Sequence, residues 1–450
     1  MKTKQTIVML LVALLGLSSC NDFLDITPTG KVIAKTGKEY RALLTYEYKY
    51  FPEDRGLATL RSDEVVMDNT TATDDYNSYF DIWAWNDTER QGTTSSFGWR
   101  RYYHAIYIAN YIIEHQDEIT EASQEEINQM VGEAYMMRAY CHFLLVNLYA
   151  APYTHCTPST TRGIPLSVKA DVNAVLKCSS VEQVYKQVLD DIADAKKLLN
   201  VKTWESGLNY RFNTVSADAL QARVCLYKGD WQGALDAAKD VIAEHGDLED
   251  LTQSSGYKLP NDYQSVENIL ALEQVMTSSY AKIGSPSQAL VSKYASGDQR
   301  KRKYFRQETL TKSSLLKGGS NQYSCSFRSA EAYLTAAEAS AELNDLKGAR
   351  GYLLTLAAKR YTASRLATYT SELETMDKAT LIQAIYDERE RELAFEGHRW
   401  FDLRRTTEPS LSKTYKGTTY TLDEGDSRYT LRFPTEAVEA NPGIEQWNNE

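Results

Sequence analysis

The decisive stretch of this chain is Glu390–Arg405, which reads ERELAFEGHRWFDLRR. With the residues before it, this stretch predicts a helix over 381–396. Thr380 and Gln383 have the spacing of a capping box at the start of that helix, and Gly397 suits the position just after its end.

Charged residues stand four apart on this predicted helix, as in the pairs Asp387/Arg391 and Glu392/Glu396. The spacing leaves two interpretations open, a solvated charged face or a buried network of arginines and carboxylates. The turn that follows is expected to be fixed to the body by large apolar side chains, those of Trp400, Phe401 and Leu403. We interpret the whole stretch as structural and do not assign a ligand to it.

Upstream, two stretches repeat one arrangement of two helices around a tight turn. The turn is Gly229-Asp230 in residues 216–245 and Asn344-Asp345 in residues 330–358, an offset of 115 residues. Apolar residues recur at the same offset on both sides of each turn. This pattern is typical of tetratricopeptide-like hairpins, which bury their apolar faces only by stacking on neighbours.

The rest of the chain alternates between helical and irregular stretches. Residues 52–98 are rich in Asp, Asn, Thr and aromatics without a helical period, and we interpret them as a long irregular segment of the kind that often carries function. Residues 246–329 are interpreted as insertions on the helical scaffold. Apolar periodicity predicts further helices over 99–119, 123–149 and 180–200. Two short segments near the C-terminus, 418–422 and 429–433, are interpreted as strands or loops.

The N-terminus has the features of a bacterial lipoprotein signal. Two lysines precede an apolar run over 7–17 that is too short to span a bilayer, and Leu-Ser-Ser-Cys follows, ending at Cys20. This resembles a lipobox, in which the cysteine is acylated and becomes the new N-terminus; a secreted protein with a free thiol is the alternative. We expect a signal peptide at 1–19 and an acylated tether at 20–36.

Composition argues against several function classes. The net charge of −11 argues against nucleic acid or anionic lipid as partners. The five cysteines after Cys20 contain no CxxC, and we expect no disulfide framework. Histidine spacing gives no metal motif, and no phosphate loop or Gly-x-Ser-x-Gly occurs, so we expect neither a catalytic site nor a cofactor. Ca²⁺ binding by Asp68, Asp74 and Asp75 is weighed against a solvated acidic loop, which we favour.

The decisive stretch closely resembles the C-terminal signature of the SusD/RagB family. Other stretches resemble the family's motifs in order and spacing across essentially the whole mature chain: Gly132-Glu133-Ala134, Arg138-Ala139-Tyr140, Gly163–Leu166, Asp298-Gln299-Arg300, Arg328–Leu334, Phe433-Pro434 and Asn441-Pro442. The resemblance implies a mainly α-helical, tetratricopeptide-like scaffold with a large irregular ligand-binding lobe. On this basis we expect an N-terminal half with the lobe at 37–215 and a C-terminal half with helical repeats and insertions at 216–450.

Family resemblance also implies a function. Members lie on the outer face of the outer membrane, cap a SusC-like TonB-dependent transporter and are not enzymes. Most bind oligosaccharides, so we expect surface-exposed, non-catalytic glycan binding and delivery to such a transporter. A RagB-like peptide-binding lipoprotein is the first alternative. A helical-repeat scaffold that binds only proteins is the second, and the long aromatic insertions argue against it.

The expected ligand site lies in the irregular segment, because sugars need flat rings beside hydrogen-bonding groups. Trp83 and Trp85 would face the same side of an extended segment and form a two-ring platform, with packing of one or both rings into the lobe as the alternative. Their position resembles the stretch that supplies stacking tryptophans and an Asn in starch-binding family members. Further candidates are Tyr76, Tyr79, Phe80, Asn86 and Asp87 around the platform, Arg61 and Asp63 before it, and Tyr280 as an opposing wall.

Overall fold

The computed structural model describes residues 34–68, 73–88, 92–259, 262–275, 283–317 and 324–445 and shows the expected mainly helical protein. The helices are α1 Gly37–Lys49, α2 Asp54–Thr59, α3 Thr73–Trp83, α4 Trp99–Glu114, α5 Gln124–Tyr149, α6 Val181–Leu198, α7 Thr214–Lys228, α8 Trp231–His245, α9 Gln288–Ser292, α10 Arg300–Tyr304, α11 Ser329–Glu342, α12 Leu346–Ala357, α13 Ala363–Thr375, α14 Lys378–Glu392, α15 Arg399–Thr406 and α16 Thr435–Ala440. The strands are β1 Val65–Met67, β2 Arg162–Pro165, β3 Cys178–Ser180, β4 Asn268–Leu270, β5 Gly284–Pro286, β6 Phe305–Gln307, β7 Ser313–Leu315, β8 Phe327–Arg328, β9 Leu411–Tyr415 and β10 Thr418–Leu422.

The strands pair only in twos within the described ranges, always antiparallel. β2 pairs with β3, β6 with β7, and β9 with β10. The other two pairings, β1 with β5 and β4 with β8, join segments more than 50 residues apart in the chain. The small sheets therefore connect short segments of the chain to one another, and the helices form the body of the protein.

Helix α5 is the centre of the scaffold. It begins at a capping box of Ser123 and Glu126, and almost every residue after its first turn is buried. A helix that is buried all round needs neighbours on every side, and α4 and α6 pack against it directly. The stack continues through α7, α8, α11, α12 and α14.

The two predicted helix pairs are confirmed as α7/α8 and α11/α12. Each turn contains one residue in the left-handed region, Gly229 at φ 74° and Asn344 at φ 67°. Asp230 and Asp345 then cap the second helix of each pair, accepting a backbone N–H three residues later at 3.1 and 2.9 Å. The repeated turn chemistry thus produces the same local structure twice.

Some sequence-based boundaries were wrong. Residues 52–98 contain α2, β1 and α3, although no helical period is evident there. Helix α14 begins after Asp377, whose carboxylate accepts the Thr380 N–H at 2.9 Å, and it ends at Glu392, not at Glu396. Of the two segments interpreted as strands or loops, 418–422 forms strand β10 and 429–433 forms no strand.

Of the two interpretations of the charged signature, the structure shows the buried network. Glu392 is fully buried and accepts hydrogen bonds from Arg300 at 2.8 Å, Arg328 at 2.9 Å and Arg360 at 2.8 and 2.9 Å. Burial opposes ionisation, but the Arg360 and Arg328 guanidinium groups hold the pKa of Glu392 well below its usual range. Glu396 lies in the turn after α14 and accepts a further bond from Arg328 at 2.6 Å.

The network connects segments that are distant in sequence. Arg328 and Arg360 share Glu267, with bonds of 2.6 Å each, so the insertion before β4 is bonded to β8 and to the turn that follows α12. Arg404 in α15 donates to the Ala150 carbonyl at 2.6 Å and to the Asn147 carbonyl. These carbonyls are among those that the C-terminal end of α5 leaves without intrahelical partners. The signature therefore ties the C-terminus to the central helix.

Replacing Glu392 with Gln should strongly destabilise the fold, because it leaves three buried arginines without their shared anion. We expect a loss of about 3–5 kcal/mol in the free energy of unfolding, measured by urea denaturation. Glu372→Gln, at an exposed ion pair with Arg365, is the matched control and should cost less than about 1 kcal/mol. Equal losses for both variants would contradict a special role for the network.

Candidate ligand-binding site

The irregular lobe is organised by helix α3, which packs one aromatic face against the β9–β10 hairpin. Tyr76, Phe80 and Trp83 are four and three residues apart and lie on that face. Phe80 stacks on Tyr76 with ring centroids 4.6 Å apart, and its edge meets Tyr420 of β10 at 5.4 Å. Tyr76, Tyr79 and Phe80 are all partly exposed, so this face forms the boundary between core and solvent.

The prediction of an exposed Trp83/Trp85 platform is wrong. Trp83 ends a helix and Trp85 has φ 56°, so the segment is not extended and the rings do not stand side by side on a surface. Their exposed fractions are 0% and 1%. Each indole N–H is satisfied by backbone, Trp83 by the Val65 carbonyl at 2.9 Å and Trp85 by the Arg61 carbonyl at 2.8 Å. The alternative, packing into the lobe, holds for both rings.

A buried lysine occupies the space beside both rings. The Lys413 ammonium lies 4.1 Å from the centre of the Trp85 ring and 5.2 Å from that of Trp83. It donates to the carbonyls of Leu60 and Trp83 at 2.8 and 3.0 Å. Burial lowers the pKa of Lys413 well below its usual range. Both indole rings therefore contact Lys413 and help to hold β9 against the lobe.

Arg61 and Asp63 are both held by protein partners. The Arg61 guanidinium donates to both Asp87 oxygens at 2.8 Å and lies over the Trp400 ring at 5.1 Å. Asp63 accepts from Arg399 of α15 at 2.8 and 2.7 Å. Each side chain thus links the lobe to the C-terminal signature, and both are engaged by the protein itself.

An open cavity of about 390 Å³ lies where the lobe meets the C-terminal segment. Asp87 and Thr88 form one wall, directly after the buried tryptophans and Asn86. Further lining residues are Ser96, Phe97, Tyr149, Leu431, Arg432, Phe433, Pro434, Thr435 and Glu436. This space, the lobe cavity, has buried aromatic residues at its base and polar groups at its rim. Its volume is within the range of roughly 300–1,000 Å³ of small-molecule sites.

Secondary contacts fix the wall of the lobe cavity. Asp81 of α3 accepts from the Asn86 amide at 3.1 Å and from the Thr94 hydroxyl at 2.5 Å. The Ser95 N–H donates to the Ser78 carbonyl at 2.8 Å. The segment leading to Ser96 is thereby bonded along α3, which positions Ser96 and Asp87 around the same space.

Sequence reasoning found one wall of this cavity and missed the other. Asp87 was part of the predicted cluster, but Arg432, Thr435 and Glu436 were not identified as lining residues. The Phe433-Pro434 motif marked their position in the chain, but a terminal motif carries no information about which distant segment it faces.

Two predicted site residues, Cys20 and Tyr280, lie outside the described residues, as do the predicted signal peptide at 1–19 and most of the tether at 20–36. Of the three aspartates weighed as calcium ligands, Asp68 makes an ion pair with Lys312, and Asp74 and Asp75 are in the first turn of α3. Within the described ranges, no three His, Cys, Asp or Glu side chains are grouped so as to hold a metal ion. Nor does this part of the chain include a helix with the length and apolarity needed to cross a membrane.

Glu64 is an unusual carboxyl group beneath the lobe. It is 1% exposed, and one of its oxygens accepts the Phe395 N–H at 3.0 Å while the other has no hydrogen-bond partner. Burial raises the pKa of Glu64 to about 8, with Asp63 nearby adding to the effect. The group is therefore protonated at neutral pH in the folded protein.

Comparison with known proteins gives consistent matches over most of the chain. A family model described as starch-binding associating with outer membrane matches residues 22–226, and the SusD family model matches residues 249–449. SusD-like protein P38 of Formosa agariphila is 25% identical over 245 residues, which span 53% of this chain and 45% of that protein.

Solved structures show the same fold. A SusD superfamily protein from Bacteroides thetaiotaomicron superposes with a TM-score of 0.76 at 21% identity, covering 92% of this chain and 100% of that chain. A laminarin-binding SusD-like protein superposes with a TM-score of 0.65 at 17% identity, covering 93% and 100%.

Because Trp83 is core and not surface, Trp83→Ala should first of all destabilise the protein. We expect a loss of about 3–5 kcal/mol, typical of emptying a buried aromatic site, measured by chemical denaturation. Trp231→Ala, at a partly exposed tryptophan that begins α8, is the control and should cost less. A Trp83→Ala variant of unchanged stability would contradict the packing described above.

Glu64 should make stability fall as pH rises. The folded state keeps the proton up to pH about 8, while the unfolded chain releases it near the ordinary glutamate value. The free energy of unfolding should therefore decrease by roughly 1.4 kcal/mol per pH unit between these values.

Glu64→Gln, which mimics the protonated form, should remove this contribution. The free energy of unfolding of the variant should therefore increase relative to that of the wild type as pH rises from 5 to 8. Urea denaturation across this range measures the difference, with Glu372→Gln as control. Parallel curves for wild type and Glu64→Gln would show that the carboxyl is ionised in the fold.

Proposed function

Because this chain belongs to the SusD/RagB family, we propose that it binds an oligo- or polysaccharide at the cell surface without catalysis and delivers it to a SusC-like TonB-dependent transporter. The observation that carries the proposal is the lobe cavity, where polar side chains surround an open space above packed aromatics. Hydroxyl, carboxylate and guanidinium groups at such a rim can exchange hydrogen bonds with sugar hydroxyls.

Two comparisons support the choice of ligand class. The family model over residues 22–226 is described as starch-binding, and one neighbour in fold binds laminarin. Both are glucose polymers, so a neutral glucan is the first ligand to test. Attachment to the outer membrane through an acylated Cys20 belongs to the same proposal, and mass spectrometry of the mature N-terminus tests it.

The alternatives change in weight with the structure. A peptide ligand is favoured by one observation, since Arg432 and Glu436 place opposite charges on the lobe cavity and could pair with peptide termini. The argument against a scaffold that binds only proteins becomes weaker, because both tryptophans are buried and form no exposed aromatic platform. Family membership and the open polar cavity keep glycan binding first.

Filling the lobe cavity should abolish ligand binding without harming the fold. Ser96 is exposed and lines the cavity, so Ser96→Trp places a large ring in the binding space. We expect wild type to be retarded by at least one polysaccharide of a panel in affinity electrophoresis, and the variant to lose this retardation, with calorimetry confirming the loss. Ser371→Trp, on the exposed face of α13, is the matched control.

The panel should include laminarin, starch and a set of peptides. Loss of glycan binding in Ser96→Trp alone supports the site and names the ligand. Peptide binding without glycan binding would move the peptide alternative to first place. Glycan binding that is unchanged in Ser96→Trp would keep the function but exclude the lobe cavity as its site.

A further inference from the structure

A second cavity, of about 340 Å³, lies between three segments that the proposed function does not use. Lining residues within 202–215, before and at the start of α7, form one side, and Lys258 with lining residues within 263–269 forms the other. His245, the last residue of α8, lies between them. We call this space the α8 cavity.

Its wall contains an aromatic ring with a fixed orientation. The Trp204 indole N–H donates to the Phe212 carbonyl at 3.0 Å, and the Arg211 guanidinium lies 5.1 Å from the ring centre. The ring is partly exposed and lines the cavity, in contrast to the buried rings of the lobe. Tyr263, across the cavity, is bonded through its backbone carbonyl to the Asn209 amide at 2.5 Å.

Two buried polar atoms among the lining residues have no hydrogen-bond partner. One is Oδ1 of Asn268, a side chain only 8% exposed whose amide N–H donates to the Ser324 carbonyl at 3.2 Å. The other is Nε2 of His245. Buried polar groups are paired in most proteins, so two unpaired atoms on one cavity point to a missing partner.

The chemistry of these atoms selects the partner. Oδ1 of Asn268 can only accept. Burial lowers the pKa of His245, which favours the neutral ring. A neutral imidazole has one acceptor nitrogen, and we assign it to Nε2, the nitrogen without a partner in the protein. The two atoms therefore require donors, which sugar hydroxyls supply and carboxylate or sulfate groups do not.

The cationic side chains of the cavity are already engaged. Lys202 makes an ion pair with Glu244, and the Lys258 ammonium donates to the backbone and side-chain oxygens of Gln264 at 3.0 Å each. This leaves the aromatic ring and the two acceptors as the recognition elements, a combination that suits a neutral sugar with an apolar face.

We propose that the α8 cavity is a second saccharide-binding site, at which Trp204 stacks on a neutral sugar whose hydroxyls donate to Asn268 Oδ1 and His245 Nε2. The inference rests on the proposed function only for the ligand class, because it uses no residue of the lobe cavity. Two sites on one chain would hold a long glycan more tightly than either site alone.

The test measures the two sites separately in the full chain, purified in detergent. Laminarihexaose and maltohexaose are the neutral probes, and hexagalacturonate is the anionic probe. Ser206→Trp fills the α8 cavity from an exposed position, and Ser371→Trp is again the control. In the Ser96→Trp background, calorimetry should still detect binding of a neutral hexasaccharide, and adding Ser206→Trp should abolish it.

His245→Phe and Asn268→Leu probe the acceptors themselves. Each should weaken the remaining binding in the Ser96→Trp background by roughly tenfold, the effect of losing one hydrogen bond to the ligand. Denaturation curves of both variants show whether the fold survives. Ser206→Trp provides the same evidence from the surface if either buried substitution fails to fold.

The outcomes separate this proposal from the proposed function. If wild type binds a neutral glycan and Ser96→Trp alone removes all binding, the second site is wrong and the function stands. Binding in the Ser96→Trp background that ignores Ser206→Trp, or unchanged affinity in both acceptor variants, would also overturn it and assign the acceptors to water. Preference for hexagalacturonate would contradict the donor argument. If no variant or wild type binds any glycan, both proposals fail together.

Discussion

The carboxylate of Glu392 receives hydrogen bonds from three buried arginines, and the arrangement of the surrounding segments depends on this junction. Charges removed from water are stabilised only when partners satisfy them with good geometry. Here Arg300 comes from α10, Arg328 from β8 and Arg360 from the turn that follows α12, so three distant parts of the chain must converge before the charges are paired. Because the buried charges are paired only when these segments meet, the network favours this one tertiary arrangement.

The lobe is attached to this junction by a second set of polar contacts. Asp63 and Glu64 reach Arg399 and the Phe395 N–H in the turn that follows α14, and Arg61 stacks over Trp400. The aromatic core of the lobe, with Lys413 between the two tryptophans, is held against the same region. Recognition at the lobe cavity can therefore use polar groups that are supported by a buried and hydrogen-bonded base.

Sequence patterns predicted the helical scaffold well and the site poorly, for physical reasons. Turn chemistry such as Gly229-Asp230 and Asn344-Asp345 is local, so its outcome can be predicted from a few neighbouring residues. The exposure of Trp83 and Trp85 is not local, because it depends on a hairpin more than 300 residues later that supplies Lys413. An aromatic pair beside polar residues is compatible with a surface platform or with a core, and only the tertiary contacts decide between them. The α8 cavity is a second example, since the sequence neighbours of Trp204 gave no indication that Asn268 and His245 line the same cavity.

The unpaired acceptor of Asn268 can persist because the strand that carries it is fixed by the charge network. In the antiparallel pair of β4 and β8, Asn268 lies opposite Arg328, whose guanidinium is bonded to Glu267, Glu392 and Glu396. A side chain on a mobile loop would rotate until its oxygen found a donor, but this backbone cannot shift without disturbing the buried ion pairs. The constraint that organises the fold thus also maintains an unsatisfied acceptor at a cavity, and preorganisation of this kind reduces the ordering cost when a ligand supplies the missing hydroxyl.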